Sequence, residues 1–260
     1  MRLKNKIVLI TASTRGIGLA CVKACAAEGA LVYMAARNLT AANETAEKLN
    51  QAGGRVKVVH SDATMPETYK TMIETVVKNE GKIDVLINNF GTSDPSQDLA
   101  IEHTSYEYFK DTVMQNLASV FLSAQAAIPH MIKNGGGSII NISSIGGLVP
   151  DVSRVAYGTS KGAINYLTKN IAVQEARNNI RCNAVLPGMT ETDSVRTALT
   201  DEFKTFFLKH SPIKRMARPE EIASAVLYFA SDESAFTTGQ ILAVSGGFGL
   251  ATPIFGDINK

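Results

Sequence analysis

Seven short apolar runs, separated by longer stretches whose apolar residues recur every three to four positions, organise this 260-residue chain. The runs lie at 6–11 (KIVLIT), 30–37 (ALVYMAAR), 56–62 (VKVVHSD), 83–89 (IDVLINN), 137–143 (GSIINIS), 180–187 (IRCNAVLP) and 237–247 (TTGQILAVSGG). Rich in Val and Ile and too short for helices, they read as strands. The intervening periodicity predicts helices after a glycine turn near residue 16, over 39–54, 66–82, about 105–132, 154–176 and 218–235, the last with Pro219 in its first turn. No linker, low-complexity tract or short repeat interrupts the alternation, which predicts a single α/β domain over 1–260.

Composition changes little in this picture. The chain is 45% hydrophobic and 19% charged, with a formal net charge of +2, too small to imply a nucleic acid or a membrane surface as partner. No run approaches the roughly 18 apolar residues of a spanning helix. The N-terminal run leads straight into the glycine turn and reads as a first strand, not a signal peptide. Three cysteines, Cys21, Cys25 and Cys182, argue against a disulfide framework and for packing roles in a reducing cytoplasm.

Candidate chemistry begins at the first turn. Strand, glycine turn, helix is the context in which helix N-terminal N–H groups face a phosphate, with Gly16 and Gly18 allowing close approach. A cofactor carrying only ribose hydroxyls calls for Asp or Glu at the end of the second strand, where this chain has Ala36 and Arg37. Arg15 and Arg37 therefore favour a 2′-phosphate, hence NADP over NAD. Asp62 is placed either to bind an adenine amino group or to cap the helix beginning near Pro66. Asn88, Asn89 and Gly91 end the fourth strand, where amides brace a turn and the backbone can approach a cofactor. Asn116 falls inside a long helix and is expected to hold a water or a backbone group, and His130 to be a helix-end or surface residue.

Tyr157 and Lys161 share a helical face, and a phenol with a reference pKa of about 10 needs a neighbouring cation to work near neutrality. Ser144, after the fifth strand, can bring a hydroxyl to the same point, giving a proton-handling site for a carbonyl or alcohol. Residues 147–154 should line the pocket. Residues 189–211, with Phe203, Phe206 and Phe207, form either a substrate lid or an ordinary surface helix. The tail, 248–260, is expected over the pocket or a neighbouring subunit.

The turn TASTRGIG (11–18), the NNFG strand end (88–91), Asn116, Ser144, Tyr157 with Lys161, and Pro187-Gly188 together resemble the signature set of the short-chain dehydrogenase/reductase family. Segments such as NNFGTSD, RCNAVLPG and GGFGLATP resemble more particularly the bacterial NADP-dependent 7α-hydroxysteroid dehydrogenases. The resemblance implies a doubly wound Rossmann fold, a seven-stranded parallel sheet ordered 3-2-1-4-5-6-7 with helices on both faces. It implies hydride transfer between a steroid or bile-acid 7α-hydroxyl and NADP in a homotetramer paired through the helices around Asn116 and Tyr157. Tyr157 would be the acid/base, Ser144 would hold the substrate oxygen, Lys161 would lower the tyrosine pKa and bind the nicotinamide ribose, and Asn116 would anchor a water. Ser13, Thr14, Arg15, Gly16, Ile17, Gly18, Arg37, Asp62, Asn89, Gly91, Pro187, Gly188, Thr190 and Thr192 would complete the cofactor site, with no metal. Three residues depart from the family pattern. Ala12 replaces a glycine and is expected at negative φ, Phe90 should add an aromatic wall, and Thr190 stands where an aliphatic residue is usual. A 3-oxoacyl-thioester or general ketone reductase, and a non-catalytic nucleotide sensor, are the competing functions.

Overall fold

The computed structural model describes residues 1–250 and Asp257; the rest of the expected tail lies outside the described residues. Each apolar run forms a strand: β1 (Ile7–Thr11), β2 (Leu31–Ala36), β3 (Val56–His60), β4 (Val85–Asn88), β5 (Gly137–Ile142), β6 (Ile180–Pro187) and β7 (Ile241–Val244). All neighbours pair in parallel, in the order β3-β2-β1-β4-β5-β6-β7 implied by the resemblance. The helices are α1 (Gly16–Ala27), α2 (Leu39–Gln51), α3 (Glu67–Glu80), α4 (Tyr106–Lys133), α5 (Val155–Glu175), α6 (Asp193–Ala198), α7 (Asp201–Lys209) and α8 (Pro219–Ala230).

Alternate strand residues serve opposite cores. Val8 and Ile10 of β1 pack with Cys21 and Val22 of α1 and Ile222 and Val226 of α8, whereas Leu9 packs with Met72 and Ile73 of α3 and Ala124 and Ala127 of α4. Because helices cover both faces, the inner strands read as continuous apolar runs and not as alternating ones. All three cysteines are buried and free, and burial raises each thiol well above its ordinary range. His130 lies half-buried in the last turn of α4, where its carbonyl accepts from Asn134 N. Among the described residues no helix is long and apolar enough to cross a membrane.

Helix ends follow local chemistry. Asn38 and Ser105 side chains accept N–H bonds at the starts of α2 and α4, and Gly81, at φ +78°, ends α3. Asp62 does not cap α3, one of the two roles open to it. Its carboxylate accepts from Thr64 N (2.9 Å) and Thr64 Oγ1 (2.8 Å), and Pro66 occupies the cap position. A side chain this short satisfies the donors two residues ahead before it can reach a helix that starts five residues on.

At the amino edge of the sheet, buried Asp84 joins three elements. Its Oδ2 accepts from Ile7 N at 2.7 Å, its Oδ1 accepts from Asn134 Nδ2 at 3.1 Å, and its carbonyl accepts from Ser138 N. Asp84→Ala leaves buried donors without acceptors and should cost about 1–3 kcal/mol. The urea midpoint should fall with an unchanged m-value.

Candidate active site

The order of the sheet brings β1 and β4 together at its centre, and their loops part at the carboxyl ends to leave a crevice. Thr11 Oγ1 accepts from Asn89 N at 2.8 Å, and Asn89 Nδ2 donates to the carbonyls of Thr11 (3.1 Å) and Ala12 (3.0 Å). Ala12 adopts φ +49°, against the expected negative value. The reason lies in its neighbours: a Cβ on Gly18 would stand 2.6 Å from both Ala12 O and Asn89 Nδ2, so the chain must turn its carbonyl over the start of α1. Ser13 is buried, its hydroxyl donating to Ile10 O, and Thr14 is half-buried. Arg15, extended, precedes α1, whose first turn carries no acidic residue and no side-chain cap. Gly16 (φ +54°) faces Thr192 Cγ2, 3.2 Å from where its Cβ would be. Ile17 lines the cleft. Arg37, exposed, lies near enough to Asp62 to help hold that carboxyl below its usual range, after the two Thr64 donors.

Across the crevice, Lys161 is 2% exposed and donates from Nζ to Ile142 O at 3.0 Å; burial pushes it down to about 8. A Cβ on Gly91 would stand 2.8 Å from Lys161 Nζ, so only glycine lets the ammonium lie against this backbone. Ser144 opens a short 3-10 turn, its Oγ accepting from Gly146 N at 3.1 Å. The carbonyl of Gly147, the last residue of that turn, accepts from Asn165 Nδ2 of α5 at 3.1 Å, which brings Ser144 to Tyr157. The Tyr157 side chain is half-buried as a whole, but its hydroxyl is desolvated, and burial raises the phenol above 10. The adjoining Ser144 hydroxyl and then the Arg154 guanidinium pull it down. Lys161 Nζ, bonded to Ile142 O, lies 5.5 Å from the centre of the tyrosine ring and the Arg154 guanidinium 6.0 Å from it, so two cations flank the phenol.

Asn116 is fully buried, and its amide holds a backbone group, one of the two partners expected for it. Its Oδ1 accepts from Thr92 N (2.8 Å), and its Nδ2 donates to Thr92 O and Ser160 Oγ (both 3.0 Å). Asn88 Nδ2 donates to Asn141 Oδ1 inside the sheet, a structural bond. Pro187 ends β6 and Gly188 follows it, its N donating to Val244 O. Thr190 Oγ1 donates to Gly188 O, and Thr192 Oγ1 caps α6 by accepting from Val195 N.

These residues open on a cavity of about 870 Å³. Residues 147–154 all line it, as expected, and α6 and α7 cover it with Val195, Leu199, Phe203 and Phe207. Phe248, the first tail residue, stacks on Phe207 with ring centres 4.2 Å apart. Phe206 points away and is exposed, packing its edge on His210. Phe90 is half-buried and does not line this cavity; the aromatic surface comes from the 203–207 segment and Phe248 instead. One contributor escaped the sequence reading: Asp98 meets the start of α5, and its partners lie 58 and 59 residues away, beyond any local pattern.

A phenol and a hydroxyl facing one cavity, beside a buried ammonium, can orient a substrate oxygen and exchange a proton with it. A family profile described as "Enoyl-(Acyl carrier protein) reductase" matches residues 11–249. The 7alpha-hydroxysteroid dehydrogenase of Clostridium sardiniense is 51% identical over 256 residues, 98% of each chain. That of Paraclostridium sordellii is 48% identical over 257 residues, 98% of this chain and 96% of the relative. A solved 7 alpha-hydroxysteroid dehydrogenase, complexed with NADH and 7-oxo glycochenodeoxycholic acid, matches with a TM-score of 0.90 and 32% identity, covering 95% of both chains. Sharing sequence along its whole described length and the same seven-stranded topology, the chain belongs to the short-chain dehydrogenase/reductase family and is an oxidoreductase, not a nucleotide sensor.

Proposed function

We propose that this protein transfers hydride between NADP and the 7α-hydroxyl, or 7-ketone, of a steroid or bile acid. The observation that carries this reading is the convergence of Tyr157 and Ser144 on a cavity that Val195, Leu199, Phe203, Phe207 and Phe248 also line. Two relatives near half identity act, by name, at the same position of a steroid. Tyr157 gives a proton to the substrate oxygen in reduction and takes it in oxidation, while Ser144 Oγ orients that oxygen. Residues 189–211, with Phe203 and Phe207 facing inward, act as a lid that keeps water from the reacting carbon.

The residues present fit a nicotinamide dinucleotide. The first turn of α1 offers free N–H donors without a competing carboxylate, and Gly16 and Gly18 leave room where side chains would stand. Residues 13–18, Asn89, Gly91, Lys161, Pro187, Gly188, Thr190 and Thr192 would hold it, with Asp62 at the adenine end. Bound there, the nicotinamide supplies or accepts the hydride. The solved neighbour holds NADH, but here Arg37 stands where recognition of a bare ribose calls for a carboxylate. Neither Arg15 nor Arg37 forms a salt bridge among the described residues, so both guanidinium groups are available to a 2′-phosphate.

The assembly that fits is a homotetramer in a reducing cytoplasm, where the three thiols stay free. Met114 and Phe121 on α4, and Tyr166 and Val173 on α5, stand seven residues apart on adjacent helices, each large, apolar and exposed. Such a patch is suited to a second copy of the chain. A 3-oxoacyl-thioester reductase is the second reading, favoured by a 3-oxoacyl-[acyl-carrier-protein] reductase of Thermotoga maritima that is 36% identical over 250 residues.

Incubated with NADP and a 7α-hydroxy bile acid, the protein should generate NADPH absorbance. A 3-oxoacyl thioester with NADPH should give no turnover, and the reverse pattern would replace the substrate class. Tyr157→Phe should lower kcat by about 10²–10⁴. Arg37→Asp should weaken NADP by about 10- to 100-fold and shift preference to NAD, read from kcat/KM with each cofactor. Light scattering should give the mass of four chains, and Phe121→Glu with Val173→Glu should reduce it.

A further inference from the structure

The N-terminal N–H groups of a helix have no partner within it, and in α5 they include that of Tyr157. The Arg154 side chain does not cap the helix, and no acidic residue occupies the first turn. The donors are met from another part of the chain. Arg154 N donates to Asp98 O (3.0 Å), Val155 N to Leu99 O (3.3 Å), Ala156 N to Asp98 Oδ1 (2.9 Å) and Tyr157 N to Asp98 Oδ2 (3.0 Å). Four consecutive donors thus end on two consecutive residues of the loop that follows the Asn89–Gly91 turn. Asp98 is 1% exposed, and Ser93 Oγ donates to the same Oδ2 at 2.9 Å.

The strap is also fixed at its other end. Asn116 holds both the N–H and the carbonyl of Thr92 and reaches Ser160 Oγ, which in turn donates to Tyr157 O at 2.7 Å. Arg154, at the start of α5, sits at φ +62° and ψ +41°, a left-handed conformation that a residue with a Cβ adopts only when its surroundings impose it. Here the imposing contact is its own N–H bond to Asp98 O. The same backbone geometry sets its guanidinium over the Tyr157 ring.

We propose that Asp98 is a positioning residue for Tyr157. Its carboxylate fixes the first turn of α5, and through it the height at which the phenol meets Ser144 and the side on which Arg154 stands. The inference rests on the reading of Tyr157 as the proton-transferring group. Nothing in it concerns cofactor affinity, because Asp98 neither lines the cavity nor is among the residues that would hold the dinucleotide.

Asp98→Asn keeps the shape and removes one acceptor, so one of the two N–H groups loses its partner. Expected are a fall in kcat of about 10- to 100-fold and an affinity for NADP, by fluorescence titration, within about twofold of the wild type. The pH profile of alcohol oxidation should move to higher pH. The sign follows from Ser144: its hydroxyl lowers the phenol pKa, so a phenol displaced from it ionises later, and oxidation needs the phenolate. Ser93→Ala, which removes a donor to Oδ2 and leaves the carboxylate in place, should shift both quantities the same way by less. Should Asp98→Asn fail to fold, Ser93→Ala carries the test. Variants that lower the melting temperature while kcat and the pH profile stay at wild-type values overturn the proposal. Tyr157→Phe separates the two readings. If it keeps full turnover, the site assignment fails; if it abolishes turnover while Asp98→Asn leaves kcat unchanged, the assignment stands and the positioning role falls.

Discussion

An ammonium taken out of water governs the arrangement of this site. Lys161 Nζ lies 98% buried as a residue, donating to the carbonyl at the end of β5, and burial holds its pKa near 8. Such burial is unfavourable unless the charge finds partners. Three segments come together to provide the place. The turn after β4 contributes Gly91, whose missing side chain gives the ammonium its room. The end of β5 contributes the Ile142 carbonyl and Ser143, whose Oγ donates to Lys161 O. The short turn after it packs Gly147 so closely on α5 that a Cβ there would stand 2.7 Å from the Lys161 carbonyl carbon. Burial is the cause of the shift, and among the described residues no carboxylate pairs with the ammonium, whose hydrogen-bond partner is the Ile142 carbonyl.

Tyr157 stands in the opposite position. Desolvation that makes the cavity apolar also disfavours the phenolate, raising the pKa of the group on which proton exchange depends. Ser144 and Arg154 offset part of that rise. The cavity thus has to be dry enough for an apolar ring system and polar enough at one point for an anion. That conflict explains why Ser144 and Arg154 arrive at the tyrosine on rigid supports: a 3-10 turn on one side and the first turn of a helix on the other. A loose support would let the hydroxyls part, and the phenol would lose the contact that lowers its pKa.

What the sequence disclosed follows from how local each device is. Continuous apolar runs announced strands covered on both faces, and the spacing of Tyr157 and Lys161 announced a shared helical face, because both depend on neighbours along the chain. Ala12 was misread because its φ is set by Asn89 and Gly18, which press on its carbonyl from another strand and from the helix. Phe90 was misplaced because a strand end fixes where the backbone goes and not which wall its side chain joins. Asp62 had two open roles, and the nearest donors, on Thr64, took the carboxylate before the helix could. Asp98 was invisible for the strongest reason, since its partners on α5 lie some sixty residues away and meet it only after the sheet has formed.

The same division bears on substrate choice. A solved relative keeps this backbone at a TM-score of 0.90 with only 32% of its residues, so the sheet and its helices tolerate wide replacement provided volume and patterning persist. Beside the strand-end residues Ile142 and Pro187, much of the cavity wall comes from a different class of segment: residues 99–102, 147–154, the α6–α7 region and Phe248. Their side chains are free to vary without disturbing the register of β1, β4 and β5 that sets Ser144 and Tyr157 in place. Phe207 and Phe248, which both line that cavity, stack on each other and join the α7 cover to the start of the tail. A change at either therefore alters the shape seen by a ring system while leaving the proton site untouched, which is the separation that lets one fold keep its chemistry and exchange its substrate.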